Sequence, residues 1–168
     1  QSGTGKTYQQ DTGDKLYRRS MYTFWRRTSP PPSMITFDAV SREVCTAKRD
    51  ATATPLQSLV LLNDPQFVEA ARVLAERVWK RHPDDAAARH RDAFRSLIGR
   101  PPDHVEADVL ARLFAEQKDL FARKMGDAAK LLAVGESRAD KALPQADLAA
   151  MTLVVNAIMN FDDFVVVR

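Results

Sequence analysis

The chain has 168 residues, 45% of them apolar and 28% charged, a composition that supports a folded core rather than a disordered segment. No run approaches the roughly 18 to 20 apolar residues of a membrane span. Net charge is +3, and it is uneven: residues 1–50 carry nine Lys/Arg against five Asp/Glu, and the remainder carries 16 against 17.

The chain begins without Met and shows no charged-then-apolar leader with a small-residue cleavage site. It therefore reads as a piece of a longer protein, and the missing leader says nothing about where that protein goes. Residues 1–14 are polar and glycine-rich, and are expected to be an extended lead-in to one helical domain over 15–168. Within them, Ser2-Gly-Thr-Gly-Lys-Thr7 resembles the tail of a phosphate-binding loop. Such a loop needs a buried strand before it and a helix straight after it. The following Tyr-Gln-Gln-Asp-Thr-Gly is neither apolar nor helical, which argues against a nucleotide site.

From Leu16 to Thr28, Tyr17, Met21, Phe24 and Trp25 recur at helical spacing and predict a helix with one apolar face. Ser29-Pro-Pro-Pro-Ser33 ends it in a stiff turn. Met34–Phe37 fits a short strand or a packed loop equally well. Thr54 and Pro55 then open a helix as N-cap and first residue. Its Leu56, Leu59, Val60, Leu61 and Leu62 cover every side, which predicts a central, buried helix. Asp64-Pro65 caps the next, whose stripe of Phe67, Val68, Ala71, Leu74, Ala75 and Val78 runs to Arg81, with Trp79 at the core edge.

After the His82-Pro83 break, Asp84 or Asp85 opens a helix to Ile98, stopped by Gly99. Asp103 and Glu106 form a capping-box pattern ahead of the longest amphipathic helix, with Val109, Leu110, Leu113, Phe114, Leu120 and Phe121 inward. A short helix is expected over 128–134, a loop at Gly135–Arg138, and a last helix over 145–160. Phe164 and the three valines after it fit an edge strand. The fold class is therefore all-α or nearly so, with five to seven helices around the buried Thr54–Asn63 helix and an irregular proline-rich loop.

Chemistry is sparse. Cys45 is the sole cysteine, which excludes an intrachain disulfide and a Cys-x-x-Cys-His haem site, and it reads as a small buried hydrophobe. His82, His90 and His104 lack metal-ligand spacing, and no Ser/His/Asp set is evident. No catalytic residue is assigned. The distinctive segment is Arg18, Arg19, Tyr22, Trp25, Arg26 and Arg27, where cations alternate with aromatics. Such a surface can stack sugars or bases and grip anions bidentately. The same residues equally fit core aromatics with arginines paired to Asp38, Glu43, Asp64 or a neighbouring domain. Asp38, Arg42 and Glu43 lie in the irregular loop, either as an acid–base set or as ion pairs that pin that loop.

Several strings carry a family resemblance. They are Leu16-Tyr-Arg-Arg-Ser-Met-Tyr-Thr-Phe-Trp-Arg-Arg-Thr28, Pro30-Pro-Pro-Ser-Met34, Phe37-Asp-Ala39, Arg42-Glu-Val-Cys45 and Thr54-Pro-Leu-Gln-Ser-Leu-Val-Leu-Leu-Asn-Asp-Pro-Gln-Phe-Val-Glu-Ala-Ala-Arg72. Together they resemble the C-terminal domain of unknown function of large planctomycete-type secreted proteins that carry cytochrome c-like domains upstream. Phe94–Asp103 and the last helix through Asn160-Phe-Asp also look like that family's end, so the resemblance spans nearly the whole chain. Val40 and Ala53 depart from the pattern, where Pro and Asn are usual.

The resemblance implies a periplasmic or surface-facing parent protein, with haem confined to its upstream part and no cofactor in this chain. It implies no activity. The leading expectation is a non-catalytic domain docked to upstream domains, with Arg18, Arg19, Trp25, Arg26 and Arg27 as anchors. The second is a binding module or enzyme part for sulfated or carboxylated polysaccharide, in which the same arginines hold the anion and Asp38 and Glu43 supply polar contacts. Nucleic acid ranks third, because an exported location disfavours it.

Overall fold

The computed structural model describes residues 9–23, 25, 30–40, 45–48 and 52–166. They form two compact units, Gln1–Gln57 and Ser58–Arg168. Among the described residues there are eight α-helices and no strand, so the fold is all-α.

The second unit holds the core. It contains α3 (Pro65–Arg81), α4 (Ala86–Ile98), α5 (His104–Arg123), α6 (Met125–Leu132), α7 (Gln145–Ile158) and the short α8 (Asp162–Val165). The helix buried all round is α7. Leu148, Ala149, Ala150, Met151, Thr152, Val154, Val155, Asn156 and Ile158 are all inaccessible, and α3, α4, α5 and α6 pack around them. The one hydroxyl among them, Thr152 Oγ1, donates to the Leu148 carbonyl at 2.8 Å, which removes the cost of burying it. Facing α7, α3 presents the small Ala71 and Ala75 together with Val78. Phe94 of α4, Leu110 and Phe121 of α5 and Leu132 of α6 complete the cluster, each fully buried side chain of this size contributing roughly 1.5–3 kcal/mol.

Punctuation follows the residues expected to supply it. Asp64 Oδ1 accepts from the Gln66 amide at 2.8 Å with Pro65 at the first position of α3, and Asp85 Oδ1 accepts from the Ala88 amide at 2.9 Å to start α4. Gly99 ends α4 with φ +86°, a left-handed conformation that favours glycine. Asp103 and Glu106 form the reciprocal capping box at 2.8 Å in both directions.

Three expectations give way. Among the described residues the helix expected over 16–28 does not form: residues 13–15 and 20–22 make single 3₁₀ turns, Tyr17 and Met21 are 55% and 67% exposed, and Phe24 and residues 26–28 lie outside the described residues. An amphipathic stretch this short gains its stability from packing, and Tyr17 and Met21 remain more than half exposed. The helix opened by Thr54, α2 (Pro55–Asn63), forms, yet it is not the central buried helix. Leu61 is buried, but Leu56, Leu59 and Leu62 are 56%, 57% and 49% exposed. The last segment makes the helical turn α8 instead of an edge strand, with Asp162 and Asp163 in its first turn, where the helix dipole favours negative charge. Residues 167–168 fall outside the described residues. The Met34–Phe37 stretch, open between strand and loop in the sequence, lies mostly in α1 (Pro32–Thr36).

Candidate functional site

In the first unit, the organising side chain is Gln57. Thr54 Oγ1 accepts from the Gln57 amide at 3.3 Å while Gln57 Oε1 accepts from the Thr54 amide at 2.9 Å, a capping box at the start of α2. Gln57 Nε2 then donates to the Thr36 carbonyl at 2.9 Å, to Thr52 Oγ1 at 3.1 Å and to Asp38 at 3.3 Å. Asp38 has φ +58°, and its carboxylate also accepts from the Thr52 amide at 2.9 Å and the Thr52 hydroxyl at 2.8 Å. This carboxylate thus knits the irregular loop to α2.

The other sequence-derived candidates fall into two groups. Arg18, Arg19 and Tyr22 are exposed around the Ser20–Tyr22 turn, with Trp25 half-buried beyond it. Arg26, Arg27, Arg42 and Glu43 lie outside the described residues. Cys45 is exposed, against the expectation of a buried thiol, as are residues 46–48 after it. Across residues 9–57 only Pro31 and Gln57 are buried among the described residues, so Tyr17, Met21, Tyr22, Ile35, Val40 and Leu56 stand in solvent. Ordinary monomers expose few contiguous large apolar side chains.

The second unit contains a buried ionic cluster that sequence reasoning missed. Glu69, Arg72 and Glu76 lie one turn apart on α3, with Glu69 and Arg72 2% and 1% exposed. Arg72 donates to Glu76 Oε1 at 2.7 Å, to the Ser137 carbonyl at 2.9 Å and to Ser137 Oγ at 2.7 Å. Glu69 accepts from the amides of Glu136 at 3.0 Å and Ser137 at 2.7 Å, and from the Ser137 hydroxyl. Gly135 allows this approach: its φ is +97°, and a Cβ there would fall on the Glu69 carboxylate. Glu76 also accepts from the Asp140 amide at 3.2 Å. Asp140 in turn meets Lys80 at 2.7 Å, and this contact holds its carboxyl below the usual range and raises Lys80. The whole arrangement clamps the α6–α7 connection onto α3.

A second buried polar group lies at the seam of α3, α4 and α5. The Arg89 guanidinium stacks on Trp79, 3.8 Å from the ring centroid, and donates to the carbonyls of His82 at 2.9 Å and Pro83 at 2.7 Å. His90 beside it is 5% exposed and meets the Phe114 ring edge-on at 5.4 Å. Burial, and then the Arg89 charge, push its imidazole down to about 4. His82 instead pairs with Asp92 at 3.3 Å, and His104 starts α5 in solvent. Among the described residues no three His, Cys, Asp or Glu side chains converge in a way that could hold a metal ion.

No helix is long and apolar enough to cross a membrane among the described residues. No curated protein and no solved structure matches the chain. The family model of PSD1, a protein of unknown function (DUF1553), matches residues 1–114 of the 168, ending within α5. That span includes every described candidate of the first unit and the whole of α2, α3 and α4, and it shows that the chain belongs to the PSD1 (DUF1553) family.

Proposed function

We propose that this chain is a non-catalytic docking domain of a larger exported protein, held against other domains of the same polypeptide. The observation that carries the reading is the first unit, in which Tyr17, Met21, Tyr22, Ile35, Val40 and Leu56 are exposed, Leu16, Trp25, Met34 and Phe37 are half-buried, and only Pro31 and Gln57 are buried among the described residues. A segment with so few fully buried side chains among its described residues gains stability from what covers it. Along α2 the surplus continues. Leu56, Leu59 and Leu62 recur every three residues on the face opposite Gln57 and Leu61, and no charged residue interrupts Pro55–Asn63. An uncharged apolar stripe suits a protein surface better than a charged polymer. The resemblance to secreted planctomycete-type proteins supports a periplasmic or extracellular location and cytochrome c-like, haem-bearing domains as the upstream neighbours.

The test is binding in trans between this chain and the upstream part of its parent protein, followed by calorimetry. Association is expected, with Leu59→Asp weakening it at least tenfold while leaving the unfolding midpoint of the free chain unchanged. Equal affinity of the parent chain and Leu59→Asp would remove α2 from the interface, and no association at all would refute docking.

Exposure of Arg18, Arg19 and Tyr22 favours one second reading, an anionic polysaccharide gripped by the guanidinium groups and stacked on the ring. Under that reading a sulfated oligosaccharide at about 100 times its dissociation constant adds roughly 2.7 kcal/mol of stability. The gain would be lost in Arg18→Ala/Arg19→Ala and at high salt.

A further inference from the structure

Arg89 and His90 are consecutive, both more than nine-tenths buried, and both engaged with aromatic rings. Arg89 is always cationic, and its charge is settled by two carbonyls and the Trp79 face. His90 Nε2 is buried with no hydrogen-bond partner among the described residues. We propose that the seam between α4 and α5 is an acid-sensitive joint, in which protonation of His90 beside the fixed Arg89 cation drives α4 away from the Phe114 face of α5.

The surrounding charges do not relieve a protonated His90. Trp79 on α3 and Phe114 on α5 are uncharged. At the end of α3, Arg81 and His82 share Asp92 of α4, both at 3.3 Å. Lys118 of α5 meets Asp147 of α7 at 2.6 Å, and Asp163 of α8 is taken by Arg100 at 3.0 Å. The carboxylates that act on this region, Asp147, Asp85 and Asp84, favour the charge of Arg89, and the one charge acting on His90 is Arg89 itself. A second cation there would be buried, unpaired and next to the first.

The sign follows from linkage. The folded imidazole lies below its ordinary value of 6.5, so the unfolded or opened form binds the extra proton, and stability is lost as pH falls from about 6.5 towards 4. Asp85 and Glu106, at the starts of α4 and α5, are held below their usual range, so their contributions begin to fade as pH falls through their ordinary values of 3.8 and 4.5. Comparison at equal pH with a variant that lacks the imidazole therefore isolates His90.

The experiment is native-state amide exchange across α4 and α5 from pH 7 to 4, corrected for intrinsic rates, on the chain and on His90→Leu, alongside an NMR titration of the His90 ring. Expected are a tenfold or greater loss of α4 protection by pH 4.5 that disappears in His90→Leu, and a ring that titrates near 4. A ring titrating near 6.5 in the folded chain, or the same loss in His90→Leu, would overturn the proposal. Should His90→Leu fail to fold, the ring titration decides alone.

Discussion

Replacing Arg72 by Met should be among the most damaging single substitutions in this chain. The guanidinium is 1% exposed and lies between Glu69, 3.7 Å away, and Glu76, 2.7 Å away, while also donating twice to Ser137. Met fills much of the same volume, so the cavity term is small and the electrostatic term dominates. Two carboxylates one helical turn apart would then share a buried site without a cation. Breaking a buried pair from one side costs about 3–5 kcal/mol, a large share of the 5–15 kcal/mol that holds a domain together. For a domain of this size that corresponds to a fall of roughly 6–20 °C in Tm.

The triple replacement Glu69→Leu/Arg72→Met/Glu76→Leu removes every charge at once and should cost less than Arg72→Met alone. The amides of Glu136 and Ser137 that lose Glu69 belong to exposed residues, where water replaces the carboxylate. Urea unfolding of the four proteins (parent, the two single variants Arg72→Met and Glu69→Leu, and the triple), followed by circular dichroism, gives the comparison. A loss below about 1 kcal/mol for Arg72→Met would refute the reasoning, as would a triple variant less stable than the single one.

Two glycines with similar backbone conformations should separate sharply. Gly135→Ala drives a Cβ into Glu69 at φ +97° and should cost about 2–4 kcal/mol, whereas Gly99→Ala meets open space at φ +86° and should cost about 1 kcal/mol; equal costs by thermal unfolding would sink the steric account. Asp103→Ala removes half of the capping box on α5 and should cost about 1 kcal/mol, with Asp103→Ser recovering most of it in the same scan. Asn156→Leu leaves the Leu61 carbonyl, now bonded to Asn156 Nδ2 at 2.9 Å, without its donor inside the protein; a loss of about 1–3 kcal/mol in denaturant unfolding is expected, and no change would mean that water reaches this carbonyl.

How far the sequence reveals the fold differs between the two units for a physical reason. From Asp64 onward, caps and apolar periodicity agree with each other, and α3, α4 and α5 begin at the residues that the caps predict. Periodicity fails where little is buried: Tyr17 and Met21 have helical spacing, but both stay more than half exposed. It fails differently at α2, where leucines on all sides suggest full burial and the structure gives it one buried face and one exposed face. The Glu69–Arg72–Glu76 set shows in the sequence only as charges at i, i+3 and i+7 on one helix face, a pattern that a solvent-facing stripe shares. Their partners do not show at all, because Gly135–Ser137 lies more than sixty residues away and only tertiary folding brings its amides to Glu69. His90 was legible only as a histidine without metal spacing; its burial depends on Phe114, contributed by another helix.

The extent of the family match and the extent of the core do not coincide, and the mismatch bears on function. The match runs over residues 1–114, while the helix around which the core is built, α7, spans Gln145–Ile158. The buried stripe of α3 lies inside the match and packs against α7, which lies outside it. Within the match, by contrast, only Pro31 and Gln57 are buried among the described residues of the first unit. Exposed irregular segments are where binding residues concentrate. That places the weight on the exposed Tyr17–Tyr22 stretch and on the outward leucines of α2. Substitutions there should leave the unfolding of the isolated chain within about 0.5 kcal/mol of the parent, while altering what the chain binds.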